Sequence, residues 1–347
     1  MSASEVTQGG AVLLELIDDM PRMTRDRVQD MALENARHNQ PYIARGESLR
    51  ALRGAKFGEG DSAVIIAGGP SIKREDPIAK LKAAQYRGAI IATESAISYC
   101  FSHDVVPSLI VSTDPHPKRI SRWLGDRSLS QANLGTDDYF RRQDLDASFA
   151  NELANNSRVL DLVDRYGKGV PVALASTAAE DLVSRIHEIG MKVYWWNPML
   201  DDPDELDGVT RVLCKENGLP AMNAGGNVGT ASWMLAHAVL GKRRIALTGM
   251  DFGYYADTPY EKTQYYHEAL ALVGPDKLDD IFIKIFNPHT GSWFYTDPAY
   301  YWYRQAFLEL SQDADCVTTN CTGGGTLFGE SVAFAPLDTF LSGTTDG

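Results

Sequence analysis

Two acidic residues of the sequence each follow an apolar run and lie among small or hydroxyl-bearing residues. Asp114 comes after 107–113, and Asp251 comes after 244–250. A carboxylate in such a place can accept a proton, hold a ribose or bind a divalent cation, or it can simply cap a turn through the local backbone. We predict that Asp251 is the catalytic base and that Asp114 and the nearby His116 are further catalytic candidates. If the reaction needs a metal ion such as Mg²⁺, Asp114 and Asp251 are its predicted ligands.

A glycine-rich loop interrupts the first strongly apolar run. Residues 63–67 are apolar and include β-branched side chains, and they stop at Gly68-Gly69-Pro70-Ser71. The run is too short for a helix and is bounded by turn residues, so it is typical of a buried strand. Glycines let the backbone approach a ligand, and a helix capped by Ser71 would offer free N–H groups to a phosphate. An ordinary strand-to-helix turn is the alternative.

Similar polar clusters follow the other apolar runs or precede a helix. In open parallel sheets, ligands bind beyond the carboxyl ends of the strands, so these clusters predict a single nucleotide site. The three consecutive glycines at 323–325 indicate a backbone that lies against a ligand or against another loop, with a plain flexible turn as the alternative. The predicted nucleotide-binding residues are Gly68, Gly69, Pro70, Ser71, Thr93, Glu94, Asn223, Gly225, Gly226, Asn227, Gly249, Tyr254, Asn320, Gly323 and Gly324.

Glu94 resembles the acidic residue that holds a ribose in dinucleotide-binding folds, since it closes the second predicted strand. However, the loop after the first strand lacks the third glycine of the G-x-G-x-x-G pattern. An NAD-dependent oxidoreductase is therefore disfavoured.

Composition limits the class of protein. The chain has 347 residues, of which 44% are hydrophobic and 23% charged, as in ordinary globular proteins. A formal net charge of -13 argues against broad nucleic-acid binding. The four cysteines form no C-x-x-C pair, so neither a zinc site nor a disulfide framework is expected. The sequence has no signal-peptide pattern and no apolar run long enough to cross a bilayer, so we expect a cytoplasmic protein.

Strands and helices alternate along most of the chain, which predicts an α/β fold: a Rossmann-like, mostly parallel sheet with helices on both faces. Strands are predicted at 62–67, 88–92, 107–113, 170–174, 191–196, 244–248 and 316–319. Helices are predicted at 10–38, 73–86, 94–102, 140–156, 176–189, 227–240 and 298–312, with a last turn at 336–341. Residues 282–295 predict a β-hairpin. The expected division is an N-terminal helical segment and linker (1–60), a catalytic domain (61–335) and a tail (336–347).

These residues together resemble the DUF115 group, which contains 6-hydroxymethylpterin diphosphokinase-like proteins and motility accessory factor flagellin glycosyltransferases. The resembling segments are 65–72, 107–114, 225–253 and 320–329. The Gly-Pro-Ser loop is also similar to that of bacterial sialyltransferases that use CMP-sugars. The resemblance implies a Rossmann-like nucleotide-binding domain in which the loop at 68–71 holds a phosphate.

The resemblance implies one of two transfer reactions. The favoured one is a glycosyltransferase that moves a sugar from a nucleotide-activated donor, a CMP-nonulosonic acid, to a hydroxyl acceptor on a protein or glycan. The alternative is transfer of diphosphate from ATP to a pterin hydroxymethyl group, with Mg²⁺. A nucleotide-binding protein without catalysis is a third hypothesis, which would keep the glycine loops but would not depend on Asp114 or Asp251.

Overall fold

The computed structural model of the chain describes residues 7–8, 16–17, 20–113, 115–116, 123–132 and 152–343. In these residues the strands form a ten-stranded sheet and a four-stranded sheet. The strands of the larger sheet are β2 (Glu47–Ser48), β3 (Ser62–Ile66), β4 (Ala89–Thr93), β5 (Leu109–Ser112), β6 (Pro171–Ala175), β7 (Lys192–Pro198), β8 (Ala221–Met222), β9 (Arg244–Thr248), β13 (Val317–Asn320) and β14 (Val332–Phe334).

The larger sheet is parallel, with the strand order β14-β13-β9-β3-β4-β5-β6-β7-β2 and β8 beside the end of β7. From β3 to β7 the chain adds strands on one side, whereas β9, β13 and β14 are added on the other. The direction of winding therefore reverses between β3 and β9. Such a switch point leaves a crevice at the carboxyl ends of the two strands, and this crevice is the usual ligand site of doubly wound sheets.

Central strand β3 shows why both faces of the sheet are covered. All five of its residues are buried. Ala63 and Ile65 belong to one core cluster, and Val64 and Ile66 belong to a second. Because successive side chains of a strand point to opposite faces, the two clusters lie on opposite sides of the sheet. The predicted α/β fold with helices on both faces is thus confirmed.

Helices cover this sheet and connect its strands, except that the tenth and eleventh in chain order pack with residues of the four-stranded sheet. The helices are α1 (Met20–His38), α2 (Gln40–Ile43), α3 (Ile72–Glu75), α4 (Pro77–Ala83), α5 (Ile97–Ser102), α6 (Glu152–Tyr166), α7 (Glu180–Ile189), α8 (Val209–Asn217), α9 (Val228–Met234), α10 (Tyr266–Val273), α11 (Leu278–Ile281), α12 (Pro298–Gln312) and α13 (Leu337–Ser342). A π-helical turn, Leu235–Val239, continues α9.

The helix predicted at 73–86 is two helices in the structure. They meet at Asp76, whose φ of 40° is left-handed and whose side chain accepts a hydrogen bond from the Ala79 amide, 3.4 Å away. Pro77 disfavours the helical conformation at the residue before it, so α3 ends there and α4 begins at the proline. As a result, α3 after the glycine loop has only four residues.

The other predicted elements mostly agree with the structure. The seven predicted strands lie within two residues of β3, β4, β5, β6, β7, β9 and β13. The helix predicted at 10–38 corresponds to α1, although residues 9–15 and 18–19 lie outside the described part of the chain. Most of the helix predicted at 140–156 also lies outside it. The sequence analysis missed α2, α8, α10 and α11 and, in the larger sheet, the short strands β2, β8 and β14.

The smaller sheet contains the predicted hairpin. Strands β11 (Ile283–Asn287) and β12 (Ser292–Thr296) pair antiparallel, with β1 (Thr7–Gln8) and β10 (Tyr254–Tyr255) at the two edges. Strand β10 comes directly after the polar cluster that follows β9, so the smaller sheet stands beside the switch point. Among the described helices, none is long and apolar enough to span a membrane.

Candidate functional site

Ser71 and Asp251 meet at the switch point. Asp251 follows β9 and Ser71 ends the glycine loop after β3. The Ser71 hydroxyl donates a hydrogen bond to Asp251 Oδ2 over 2.8 Å, and the Ser71 amide donates to the same oxygen over 3.2 Å. Ser71 stands at the N-cap position of α3, but its side chain makes no capping hydrogen bond. The sequence predicted that the Ser71 hydroxyl caps a helix. In the structure this hydroxyl instead holds Asp251, the predicted catalytic base.

Asp251 is a buried carboxylic acid, with only 3% of its surface exposed. Burial raises the pKa of Asp251 to about 7, although the two hydrogen bonds from Ser71 and the charge of Arg74 act in the opposite direction. Within the described residues, Asp251 Oδ1 has no hydrogen-bond partner. A carboxyl group with a pKa near neutrality and one unused oxygen is suited to exchange a proton with a substrate.

Three glycine loops close around this pair because their backbones approach each other closely. The Gly69 amide donates to the Gly249 carbonyl over 2.9 Å, and a Cβ at Gly69 would overlap Asp251 Oδ2. Gly325, with a φ of 74°, comes so near that a Cβ would lie 2.6 Å from the Asp251 carbonyl oxygen. The Thr326 amide donates to that same carbonyl. The loops after β3, β9 and β13 thus form one packed unit.

The glycines at 323–325, in the loop after β13, pack against other parts of the chain. A Cβ at Gly323 would lie 2.5 Å from Glu75 Oε1, and one at Gly324 would lie 2.8 Å from the Phe294 ring. The Asn320 side chain is fully buried, donates to the Leu327 carbonyl and shapes the loop from inside. In the folded chain, Gly323 therefore lies against α3 and Gly324 against β12, so these glycines do not form a plain flexible turn.

The loop after β4 borders the glycine loop after β3. A Cβ at Gly68 would come within 2.6 Å of Ser95 Oγ, whose hydroxyl is hydrogen-bonded to that of Thr93. Glu94 is 4% exposed and accepts a hydrogen bond from the Thr113 amide over 3.0 Å. Thr93 and Glu94 are therefore at the predicted edge, and Glu94 ties the end of β4 to the end of β5.

The segment before α9 lies beside the site, and both of its asparagines bond within their own loop. Asn223 Oδ1 accepts from the Gly225 amide, and Asn227 Oδ1 accepts from the Thr230 amide at the start of α9, each over 2.9 Å. Gly226 has a φ of 76° and rests against the Trp302 ring. The first turn of α9 packs on Met250, which connects this segment to Asp251.

Tyr254 differs from the other predicted binding residues, because its side chain is buried in the smaller sheet. Its hydroxyl donates to Asp297 Oδ2 over 3.2 Å and accepts from the Gln264 amide. Burial raises the pKa of Asp297 to about 6, and Asp297 also caps α12 by accepting from the Tyr300 amide.

Arg74 carries a positive charge at the edge of the switch point. The Arg74 guanidinium lies over the Tyr255 ring, 3.5 Å from its centre, and about half of its side chain is exposed. It is close enough to Asp251 to lower the pKa of that carboxyl. The guanidinium also lies 3.7 Å from Asp257 Oδ1, in an exposed ion pair. Arg74 thus places positive charge at the edge of the switch point, where it can attract a phosphate.

The third predicted catalytic candidate, His116, is half-buried after β5. Asp114 lies outside the described residues, so its predicted role remains a prediction. Of the predicted site residues, the structure brings together 68–71, Thr93, Glu94, 223–227, Gly249, Asp251, Asn320, Gly323 and Gly324 at the carboxyl edge, with Tyr254 next to them in the smaller sheet.

Residues 34–128 match the family described as "6-hydroxymethylpterin diphosphokinase MptE-like". The resemblance to the MptE-like family is confirmed over this segment. The match covers β3, β4, β5 and the glycine loop at 68–71, and it begins within α1. No curated protein matches the sequence significantly.

A solved structure that resembles this chain is the MAf glycosyltransferase from Magnetospirillum magneticum AMB-1. The similarity has a TM-score of 0.47 at 15% sequence identity and covers 89% of this chain and 38% of that one. This chain therefore spans less than two fifths of that protein's length.

The sequence analysis missed two polar residues that hold elements near the candidate site, Asp297 and Asn35. Asp297 precedes Pro298, and an acidic residue before a proline is a recognisable helix start. Asn35 lies in the predicted N-terminal helix with Asn39 four residues later, so a repeated amide on one helix face was the available signal. Neither signal by itself indicates proximity to a catalytic site.

Proposed function

We propose that this chain is a transferase that binds a nucleotide-linked donor above the switch point between β3 and β9 and transfers a group to an acceptor hydroxyl. The observation that carries the proposal is the buried Asp251 carboxyl, held by Ser71 at the crevice and left with one unused oxygen. A purely structural aspartate in such a place would normally have both oxygens paired, because an unpaired buried oxygen is destabilising.

The donor that fits best is a nucleotide-activated sugar, and we propose a CMP-nonulosonic acid. Two amides of the glycine loop, those of Gly69 and Ser71, already donate to protein oxygens. Few of the N–H groups in this loop therefore remain for phosphate oxygens. A donor with a single phosphate needs fewer of them than a nucleoside triphosphate, which supports a CMP-sugar over ATP.

In the proposed reaction the acceptor oxygen attacks the anomeric carbon of the sugar. The new carbon–oxygen bond forms as the bond between that carbon and the phosphate oxygen breaks, and CMP leaves with the electron pair. Asp251 takes the acceptor's proton, a role for which a base titrating near neutral pH is well matched. Arg74 at the rim offsets the charge that develops on the leaving phosphate.

A second candidate is ATP-dependent diphosphate transfer to a pterin hydroxymethyl group, which the match of 34–128 to the MptE-like family favours. This reaction would use Mg²⁺. Mg²⁺ bound to nucleotide phosphates commonly takes one or two carboxylates from the protein. Asp251 Oδ1 is a suitable ligand since it has no other partner in the described structure, and Asp114 is the predicted second ligand. When bound, the ion would neutralise phosphate charge.

The two candidates are separated by a ligand screen on the intact chain. Thermal unfolding is measured with CMP, CTP, ATP and NAD, each with and without Mg²⁺, because a ligand that binds the folded state raises the apparent stability. We expect CMP to raise the unfolding temperature without Mg²⁺. Stabilisation by ATP only when Mg²⁺ is present would instead favour diphosphate transfer, and no stabilisation by any nucleotide would contradict the proposal.

Turnover is tested with Asp251→Asn, which keeps the shape of the side chain but removes the base. We expect release of CMP from CMP-N-acetylneuraminic acid to fall about a hundredfold or more, while CMP still stabilises the protein. Asp315→Asn is the matched control, because Asp315 is exposed and pairs with Arg243 away from the site. If Asp251→Asn keeps full turnover, Asp251 is not the base. Nucleotide binding without turnover by the wild-type chain would favour a non-catalytic binding protein.

A further inference from the structure

The N-terminal helix α1 contacts the carboxyl edge of the main sheet through asparagine amides. Asn39, the residue between α1 and α2, is fully buried. Its Nδ2 donates to the carbonyl of Ser176 over 2.9 Å and to that of Ala178 over 2.8 Å. Both acceptors lie in the loop that follows β6, so the end of α1 is anchored to this edge of the sheet.

Asn35 lies one turn earlier on the same face of α1 and connects two different loops. Its Nδ2 donates to the Thr177 carbonyl in the loop after β6 and to the Pro115 carbonyl after β5, each over 3.0 Å. Both hydrogens of one amide group are thus used to join segments that are 62 residues apart in sequence. In this way α1 fixes the position of one loop relative to the other.

The Pro115 carbonyl belongs to the peptide group that leads into His116, a candidate catalytic residue. Proline has no N–H and a fixed φ, so the carbonyl is the one backbone hydrogen-bonding group of Pro115. Two residues earlier, the Thr113 amide donates to Glu94. Asn35 and Glu94 therefore hold the backbone at Pro115 and at Thr113, just before His116.

We propose that Asn35 is a positioning residue of the active site, which holds the backbone at Pro115 so that His116 is presented at the carboxyl edge. This inference rests on the proposed transferase function and assigns a task to α1 that its sequence alone did not indicate. Small displacements of a catalytic side chain lower turnover strongly while leaving donor binding nearly intact.

The test uses the full chain with Asn35→Ala and Asn35→Asp, the second of which keeps the side-chain shape but removes both donors. Arg37→Ala is the matched control, because Arg37 lies on the same helix and makes only an exposed ion pair with Glu216 among its described contacts. The readouts are kcat and KM for CMP release from CMP-N-acetylneuraminic acid, the affinity for CMP, and hydrogen exchange at the Thr113 and His116 amides.

For both Asn35 variants we expect kcat to fall about tenfold to a hundredfold, KM and CMP affinity to change little, and exchange at the two amides to speed up. Arg37→Ala should behave as the wild type. Unchanged kcat in a folded Asn35→Ala protein, or an equal loss in Arg37→Ala, would overturn the proposal. If Asn35→Ala does not fold, Asn35→Ser, which keeps one donor, is measured in its place against the same criteria.

A His116→Ala variant separates this proposal from the proposed function. If His116→Ala keeps wild-type turnover while Asn35→Ala speeds exchange at Thr113 and His116, the contact holds the loop but His116 is not catalytic. If the wild-type chain neither binds CMP nor releases it from the donor, the proposed function fails, and the exchange measurement still reports on the Asn35 contact.

Discussion

The hydroxyl of Ser71 and the carboxylate of Asp251 are 180 residues apart in sequence and 2.8 Å apart in the structure. This contact joins the loop after β3 to the loop after β9, on the two sides of the switch point. Ser71 directs both its hydroxyl and its amide at a single oxygen, Asp251 Oδ2. Ser71 therefore orients the candidate base, and its two hydrogen bonds lower the pKa of Asp251 against the larger upward effect of burial.

Ser71→Ala should move the pH dependence of turnover. The hydrogen bonds from Ser71 favour the ionised form of Asp251, so the loss of one of them raises the pKa of Asp251 further. Since the base must be deprotonated, the acidic limb of kcat/KM is expected to shift to higher pH by about one unit. Ser102→Ala, at an exposed serine on α5, serves as the control. An unshifted profile would mean that Asp251 is not the titrating base.

Gly69→Ala should lower the stability of the folded chain. The added Cβ would overlap Asp251 Oδ2 and the Gly249 carbonyl, neither of which belongs to a flexible side-chain end that can move away freely. We expect the free energy of unfolding to fall by about 1–3 kcal/mol, as in overpacked cores. Chemical denaturation measures this change.

Gly329→Ala is the matched control for that variant, because its Cβ would meet only the end of the Leu308 side chain at 3.0 Å. It should change stability far less. Equal effects of the two substitutions would show that close packing around Asp251 is not the cause.

The strands of this fold were predictable from sequence because each is a short apolar run with turn residues at both ends. The run at 63–67 and the glycines after it illustrate this, since β3 is buried on both faces and the loop must turn sharply. The order of the strands was not predictable in the same way. That β9 lies beside β3 depends on pairings such as Val64 with Ala246, and no local pattern encodes them.

The residue types of the candidate site were predictable from the sequence, but only some of the contacts between these residues were. Asp251 and Ser71 were both identified, whereas their direct hydrogen bond is a tertiary contact that sequence spacing does not show. The glycines at 323–325 allowed a ligand contact, a contact with another loop or a plain flexible turn, and only the structure reveals Glu75 and Phe294 against them. Asn35 was missed because an asparagine on a helix most often has no partner beyond solvent or its own backbone.

Stability should fall as the pH rises from about 4 to 7. Burial raises the pKa of Asp251 to about 7 and that of Asp297 to about 6, from an ordinary value of 3.8. The folded chain therefore binds more protons than the unfolded chain in this range, so these groups contribute stability at low pH that is lost as the pH passes their folded pKa values.

Asp297→Asn isolates one of the two contributions, because asparagine can still cap α12 but does not titrate. Between pH 4 and 7 the free energy of unfolding of this variant should decline less than that of the wild type, by about 2–3 kcal/mol. Urea unfolding at several pH values measures the difference. Parallel curves for the two proteins would contradict the assignment.

Substitutions at Asn227 test whether this predicted nucleotide-binding residue contacts the nucleotide or only stabilises the folded chain. Its Oδ1 accepts from the Thr230 amide, and its Nδ2 donates to Thr230 Oγ1 and to the Gly225 carbonyl. We expect Asn227→Ala to lower the free energy of unfolding by about 1 kcal/mol, the usual effect of losing a helix cap. Affinity for CMP, measured by calorimetry, should stay the same.

Asn227→Asp and Asn227→Ser distinguish the two roles, because both residues cap helices well while neither has the amide donors of asparagine. If Asn227 serves only the cap, both variants should retain most of the wild-type stability and the wild-type affinity for CMP. A variant that keeps its stability but binds CMP several-fold more weakly would instead place the Asn227 amide in contact with the nucleotide. In that case the segment before α9 would bind the donor directly, as its sequence first indicated.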